Sequence, residues 1–325
     1  MKKLVTLMLA LMLVLCAIPF SFAMAEAELP QVAFICKGYQ DTYCYLVSQK
    51  SKEYADANYA DKFEMTVFDG EVDNDRINEL IETCTTNKFA GIIMQQNDPD
   101  APVPSVKAAV EAGLFVIITV GSVNDNGESY YIDADPVQQG RLLTDYATEQ
   151  GILKEGTKVG LLRGIDGTFH ADGRHDGYVQ GCEAVGAEIL DDQTGNWNTS
   201  EAQPIVEGWL TAYPEIEVIF SANDDMALGA INAMKAMDRM DIKVFSVDAN
   251  ELGCLAVKNG TLTASVAQDT FGYAETPVDY MAKLMDGETV ESIRLDSTLI
   301  TPENVDEILS KVHGYSEEQI AELNK

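Results

Sequence analysis

Short runs of apolar, β-branched residues alternate with helical stretches along this 325-residue chain, and no other feature restricts its fold as strongly. The runs that read as strands are Val32 to Cys36, Met65 to Phe68, Gly91 to Met94, Phe115 to Val120, Lys158 to Leu162, Ala187 to Leu190, Val218 to Ser221, Val244 to Val247 and Ala264 to Ala267. Between them, Ile77, Leu80, Ile81 and Cys84 fall at i, i+3, i+4 and i+7, one buried stripe on a helix. Asp135 followed by Pro136 reads as an N-cap with proline at the first helical position, opening a helix to about Gly151. Such alternation means βαβ units and parallel sheets with helices on both faces. The architecture recurs as two rounds of βα units split near Asp133 to Pro136. Roughly 300 residues exceed what one core usually supports, so the expected fold is α/β with two Rossmann-like lobes.

Three of the later runs lead into side chains that grip hydroxyl groups: Val218 to Ser221 into Asn223, Val244 to Val247 into Asp248, and Ala264 to Ala267 into Gln268. In an open parallel sheet the ligand crevice lies beyond the carboxyl ends of the strands, so these residues are expected to converge on a cleft. Two carboxamides and a carboxylate suit a neutral polyol better than a nucleotide or phosphate. The formal net charge of -31 argues against nucleic acid or an anionic membrane as partner, because either would concentrate like charge.

Lys2 and Lys3 precede an apolar stretch from Leu4 to Phe22 that ends in Ala23-Met24-Ala25, a small-x-small site of the kind cut on export. Residues 1–25 are therefore expected to be a signal peptide, and the mature protein to be soluble and extracytoplasmic, periplasmic or secreted. Cys16 raises lipoprotein anchoring as a rival, but Leu15 before it is bulky where such signals want a small residue. The other cysteines, Cys36, Cys44, Cys84, Cys182 and Cys254, are odd in number and lack metal-site spacing, so buried free thiols are expected at Cys36 and Cys84. The loop Val123 to Glu128 is rich in Asn, Asp and Gly but lacks the spacing of a calcium loop. His175 and His313 have no visible partner, and neither a metal nor a cofactor is expected.

Ala222-Asn223-Asp224-Asp225-Met226-Ala227-Leu228-Gly229-Ala230, then Phe245-Ser246-Val247-Asp248, then Ala264-Ser265-Val266-Ala267-Gln268 resemble the periplasmic sugar-binding proteins of ABC transporters, in the ribose and galactose/glucose branch. Further matches are the opening strand with Tyr39 to Tyr45, Gly167-Thr168 through Arg174, Gly177-Tyr178, and Trp197-Asn198-Thr199 before a helix. The resemblance spans about Gln31 to the final helix. It implies two lobes joined by a three-strand hinge, the periplasmic binding protein type I arrangement, with the ligand enclosed by hinge closure. The first lobe is placed at 30–134 plus 269–296 and the second at 135–268 plus 297–325, with crossings near Asp135, Gln268 and Asp296.

Carried over residue by residue, the resemblance implies a ligand-binding cleft of Asp41, Tyr43, Arg174, Trp197, Asn223, Asp248 and Gln268. A pyranose or cyclitol has apolar C–H faces and a rim of hydroxyls. Tyr43 and Trp197 can sandwich the faces, while Asp41, Asp248 and Arg174 serve the rim. Each residue also has a plainer reading: Asp41 in a turn, Tyr43 packed inward, Arg174 solvated, Trp197 in the core, Asp248 capping the next helix, Gln268 acting only in the hinge.

The chain departs from the family at Gly121-Ser122, where relatives carry an aspartate–arginine pair or an asparagine. This removes a polar contact and leaves room. Asp172 stands where ribose-binding relatives have a second arginine, and His170 and Asp172 are candidates to restore the missing hydroxyl contacts. The expected function is capture of a neutral monosaccharide, hexose or pentose, or of a cyclitol, by a monomer that delivers it to ABC permease subunits. The alternative is a sugar or autoinducer sensor docking to a chemoreceptor or a sensor histidine kinase. An enzyme is not expected: no Gly-x-Ser-x-Gly elbow, phosphate-cradling glycine loop or HExxH helix is present.

Overall fold

A computed structural model describes residues 28–323; the expected signal segment and Cys16 lie outside them. Most of the apolar runs become central strands buried on both faces, as parallel sheets require, while Met65 to Phe68 and Ala187 to Leu190 form half-buried edge strands. The first sheet holds β1 (Gln31–Cys36), β2 (Glu64–Asp69), β3 (Gly91–Met94), β4 (Phe115–Thr119), β5 (Tyr130–Ala134) and β11 (Ile293–Leu295), in the order β11-β5-β4-β3-β1-β2 and parallel throughout. The second holds β6 (Lys158–Arg163), β7 (Glu188–Thr194), β8 (Val218–Ser221), β9 (Lys243–Asp248), β10 (Ala264–Gln268) and β12 (Ser297–Ile300), ordered β12-β10-β9-β8-β6-β7. Only β12 runs antiparallel. In each sheet the strand order reverses beside the first strand, at β1/β3 and β6/β8, and such switch points open a crevice at the carboxyl ends.

A core covers each face of each sheet. The first sheet packs on α1 (Thr42–Asn58) and α9 (Thr270–Met285) on one side, and on α2 (Asn74–Thr86) and α3 (Val103–Glu111) on the other. The buried residues of α2 are Ile77, Leu80, Ile81 and Cys84, the stripe read from the sequence. The second sheet packs on α4 (Pro136–Glu149) and α5 (Phe169–Val185) on one face. Its other face meets α6 (Thr199–Ala212), α7 (Asp224–Ala236), α8 (Glu251–Lys258) and α10 (Val305–Lys311). A last helix, α11 (Glu317–Leu323), follows. The chain passes from one sheet to the other between β5 and α4, between β10 and α9, and between β11 and β12. Asp135 caps α4, accepting from the Val137 and Gln138 amides, so the first passage ends in a fixed helix start.

Three strands went unread in the sequence: β5, β11 and β12. Each is three to five residues long; β11 and β12 are half exposed edges beside the passages, where no apolar run is needed. Cys36, Cys44, Cys84, Cys182 and Cys254 are free and buried. Burial pushes the Cys36 thiol up to about 12, so it stays protonated. Two corrections concern histidine. His175 Nε2 pairs with Asp192 at 2.7 Å, which raises its pKa, and His313 Nε2 meets the Ala249 carbonyl at 3.0 Å, where burial lowers it. In the loop after β4, the Asp125 carboxylate accepts from the Gly127 and Ser129 amides at 3.0 and 2.8 Å, the work of a turn former.

Candidate functional site

The carboxyl ends of both sheets face one cavity of about 480 Å³, counted with the part open to solvent. Lys37, Asp41, Tyr43, Gln96, Asn97 and Gly121 line it from the first lobe; Phe169, His170, Arg174, Trp197, Asn223, Asp248 and Gln268 line it from the second. Eight of the nine residues expected from the sequence therefore meet in one place. Asp172 does not. It is exposed on the far side of α5, where its Oδ1 accepts from the Gly167 amide at 3.1 Å, beside Pro136 and Arg294. Helix phase explains this: His170 and Arg174 are four apart and share a face, whereas Asp172 lies two residues from each and points away.

Arg174 is buried, not solvated. Its Nε donates to Gln139 Oε1 at 2.8 Å, its Nη1 to the Ala222 carbonyl at 2.7 Å, and its Nη2 to His170 Nδ1 at 3.3 Å. Nδ1 thus accepts, which assigns the Nε2–H tautomer to His170, and that hydrogen reaches Asp133 Oδ2 at 2.9 Å. Both ring nitrogens are engaged, so His170 orients the guanidinium instead of offering a free hydroxyl contact. Asp248 Oδ1 accepts from Gln268 Nε2 at 2.8 Å and lies 3.7 Å from Arg174 Nη1. Burial holds Asp248 well above the usual carboxylate range; Arg174 opposes that, while Asp224, Asp41 and Asp225 reinforce it. The following helix is capped by Asn250, so Asp248 is free of that task. Asn223 does both jobs: its Oδ1 caps α7 by accepting from the Met226 amide at 3.0 Å, and its residue lines the cavity.

Trp197 lies across Gly164 so closely that a Cβ on that glycine would overlap the indole. The Lys37 ammonium sits 5.2 Å from the ring centroid and the Arg174 guanidinium 5.8 Å, both in cation–π range. Two residues of this wall have left-handed backbone, Trp197 at φ 61° and Asp248 at 123°, as has Ala249 next to it at 52°. Val120, at the end of β4, has φ 52°, uncommon for a β-branched residue. Non-glycine residues in this region cost about 1–3 kcal/mol each and cluster at ligand clamps.

On the first-lobe wall, Lys37 Nζ pairs with Asp41 Oδ2 at 2.8 Å, and Asp41 Oδ1 caps α1 by accepting from the Cys44 amide at 3.0 Å. Burial alone would lower the Lys37 pKa and raise that of Asp41. Their mutual attraction outweighs it, holding Lys37 up and Asp41 down. Tyr43 is packed inward, edge-on to Tyr273 at 6.2 Å. Its hydroxyl lies beside Thr270 without reaching hydrogen-bond geometry, and burial raises its pKa. Trp197 Nε1 and Asn97 Oδ1 are likewise buried without a hydrogen-bond partner among the described residues. Gly121 opens less room than its small size implies, because the Gln96 side chain, bonded to the Ser122 carbonyl, lies 2.8 Å from where its Cβ would stand. At the mouth, Thr42 Oγ1 donates to Asp225 Oδ2 at 2.8 Å, joining the lobes.

Lys37, Gln96, Asn97 and Phe169 line the cavity without being among the residues expected there from the sequence. Lys37, Gln96 and Asn97 follow the apolar runs of β1 and β3 directly, the same signal that marked Asn223 and Asp248.

The Periplasmic binding protein domain model matches residues 32–289. The D-ribose/D-allose-binding protein of Pseudomonas aeruginosa is 26% identical over 313 residues, covering 91% of this chain and 95% of its own. The ribose import binding protein of Salmonella typhimurium is 30% identical over 237 residues, 72% of this chain and 79% of its own. Among solved structures, an ABC transporter solute binding protein from Bacillus halodurans with bound myo-inositol superposes with a TM-score of 0.81 at 27% identity, covering 90% of this chain and 100% of that one.

Proposed function

The chain belongs to the periplasmic binding protein domain family, whose members are binding proteins, and from that premise we propose that it captures a neutral monosaccharide or cyclitol outside the cytoplasm and delivers it to an ABC importer. The observation that carries this reading is the balance of the cavity wall. Two basic side chains, Lys37 and Arg174, face two carboxyl groups, Asp41 and Asp248, around an indole, so the lining sets donors and acceptors side by side. A polyol hydroxyl both donates and accepts, and suits such alternation; a phosphate or a free ammonium leaves one sign unpaired. Tyr43 Oη, Trp197 Nε1 and Asn97 Oδ1 are buried groups that hydroxyls can satisfy.

In this reading Trp197 stacks on the apolar face of the ring, Arg174 and Lys37 donate to oxygens, and Asp41, Asp248, Asn223 and Gln268 serve the hydroxyl rim. We assign no bond-breaking step. Asp41 is committed to Lys37 and the Cys44 amide, and Asp248 to Gln268 and Arg174, so the pair is arranged for ground-state binding. Both walls come from one chain, which supports a monomeric receptor. Relatives with named ligands, ribose or allose in one and myo-inositol in another, support the same class. No helix among the described residues is long and apolar enough to cross a membrane.

The test is a thermal-shift screen of the chain from Glu26 against pentoses, hexoses, inositols and small glycosides, with hits measured by calorimetry. At 100 times its dissociation constant a ligand adds about 2.7 kcal/mol of stability, a rise of roughly 5 °C or more. A hit among neutral sugars or cyclitols is the expected result; silence across the panel, or a preference for sugar phosphates, sinks the reading.

A further inference from the structure

Helices α4 and α5 approach so closely that a Cβ on Gly140 would stand 3.0 Å from the Gly177 Cα. This brings Gln139, one turn past the first passage between the sheets, against Arg174. The Gln139 side chain is wholly buried. Its Oε1 accepts from Arg174 Nε at 2.8 Å, while its Nε2 donates to Ser297 Oγ at 3.0 Å and points at Gln268 Oε1, 3.5 Å away. Ser297 is the first residue of β12, after the third passage, and Gln268 the last of β10, before the second. A single amide therefore ties the cavity's guanidinium to the second-lobe ends of all three passages. Across the first passage the link continues. Arg174 Nη2 holds His170, His170 reaches Asp133, and Asp133 accepts from the Tyr273 hydroxyl of α9, which also receives the Ala134 amide at 2.8 Å.

We propose that Gln139 is a positioning residue that couples Arg174 to the hinge, with His170 carrying the coupling across to Asp133 on the first lobe. The physical reason is saturation. The Gln139 oxygen and amide nitrogen are engaged in a buried site, so a rotation at the passages must break a buried hydrogen bond or move the guanidinium with it. A contiguous polar chain of this kind transmits displacement between two sites, whatever molecule fills the cavity. The inference goes beyond the sugar reading.

Hydrogen–deuterium exchange on the unliganded chain tests it by a double-mutant cycle of Gln139→Leu, Arg174→Lys and the pair. Each single change is expected to speed amide exchange at 266–270 and 295–299 about tenfold, the effect of one buried hydrogen bond, and the pair no more than the larger single. Residues of β2 serve as the unaffected control. Effects that multiply in the double variant, or a Gln139→Leu effect confined to 136–142, overturn the proposal; a merely structural glutamine gives one of those two results. Should Gln139→Leu fail to fold, Ser297→Ala replaces it in the cycle, with faster exchange at 168–176 expected and unchanged exchange there decisive against. No ligand enters the experiment, so failure here and failure of the sugar screen are separate results.

Discussion

On the second-lobe wall of the cavity Arg174, Gln268, Asp248 and His170 are linked to one another, partly through Gln139 behind them, with Trp197 Nε1 left without a partner, while the first-lobe wall offers one ion pair, Lys37 with Asp41, the Gln96 bond to the Ser122 carbonyl, and two polar atoms, Tyr43 Oη and Asn97 Oδ1, without partners. A wall whose groups are already held loses little freedom on binding and contributes more of the affinity. In the proposed reading the second-lobe wall recognises the ligand and the first-lobe wall completes the contacts when the lobes meet.

The largest expected effect comes from the preorganised wall. Asp248→Ala removes an acceptor and leaves Arg174 and Gln268 without it, which predicts a loss of affinity on the order of 100-fold or more, given about 1.5–3 kcal/mol for a charged hydrogen bond plus the unpaired groups. Calorimetry with the hit from the sugar screen measures it. Affinity within a few-fold of the parent would mean that the second lobe is not the recognising wall.

Acid–base behaviour sharpens the contrast. Asp224, behind the second-lobe wall, accepts from Ser246, Ser265 and the Asn250 amide, yet burial pushes its pKa up to about 7. A folded-state pKa above the unfolded value means that the folded chain holds the proton longer. That stability is present below about pH 4 and is lost as pH rises to 7, at no more than about 1.4 kcal/mol per pH unit for one group. Asp41, on the other wall, is shifted down, so its contribution is lost only as pH falls below the ordinary carboxylate range. Urea melts between pH 4 and 7.5 should show falling stability in the parent, a flatter profile in Asp224→Asn, and no such flattening in Asp41→Asn. A parent profile already flat across that window contradicts the assignment.

The same asymmetry governed what could be read in the sequence. Asn223, Asp248 and Gln268 follow apolar runs too uniform to be anything but central strands, and their place in space follows from parallel topology alone. Lys37 follows an equally apolar run, but a lysine is solvated unless something covers it, and what covers it is Trp197 of the other lobe, a contact that no local pattern contains. Gln96 and Asn97 open a segment dense in turn formers, Gln-Gln-Asn-Asp-Pro-Asp, which reads as loop. Position in the loop points to Asp172, although its spacing from Arg174 puts it on the other helical face. The short strands β5, β11 and β12 are defined by their pairing rather than by composition.

Lys37→Met is the intermediate case. It removes one cation–π contact and one ion pair while keeping side-chain bulk, and about a tenfold loss of affinity is expected. Unpairing the Asp41 carboxylate costs stability as well, so the affinity is compared after confirming a cooperative melt. A loss matching that of Asp248→Ala would erase the distinction between the walls.

Thr42→Val gives the smallest effect and isolates closure. The Thr42 hydroxyl donates to Asp225 at 2.8 Å across the mouth, and Asp225 is steadied by Asn250 Nδ2 at 3.3 Å, so the bond exists only while the lobes meet. Valine keeps the shape and removes the donor, and neither residue lines the cavity. An exposed bond of this type is worth less than a buried one, so roughly a threefold change is expected. It should appear in the dissociation rate, because the bond forms after the ligand has entered and must break before it leaves. Stopped-flow displacement separates the two rates. A slower association with unchanged dissociation would place Thr42 in the encounter step, and the first lobe would then take part in recognition after all.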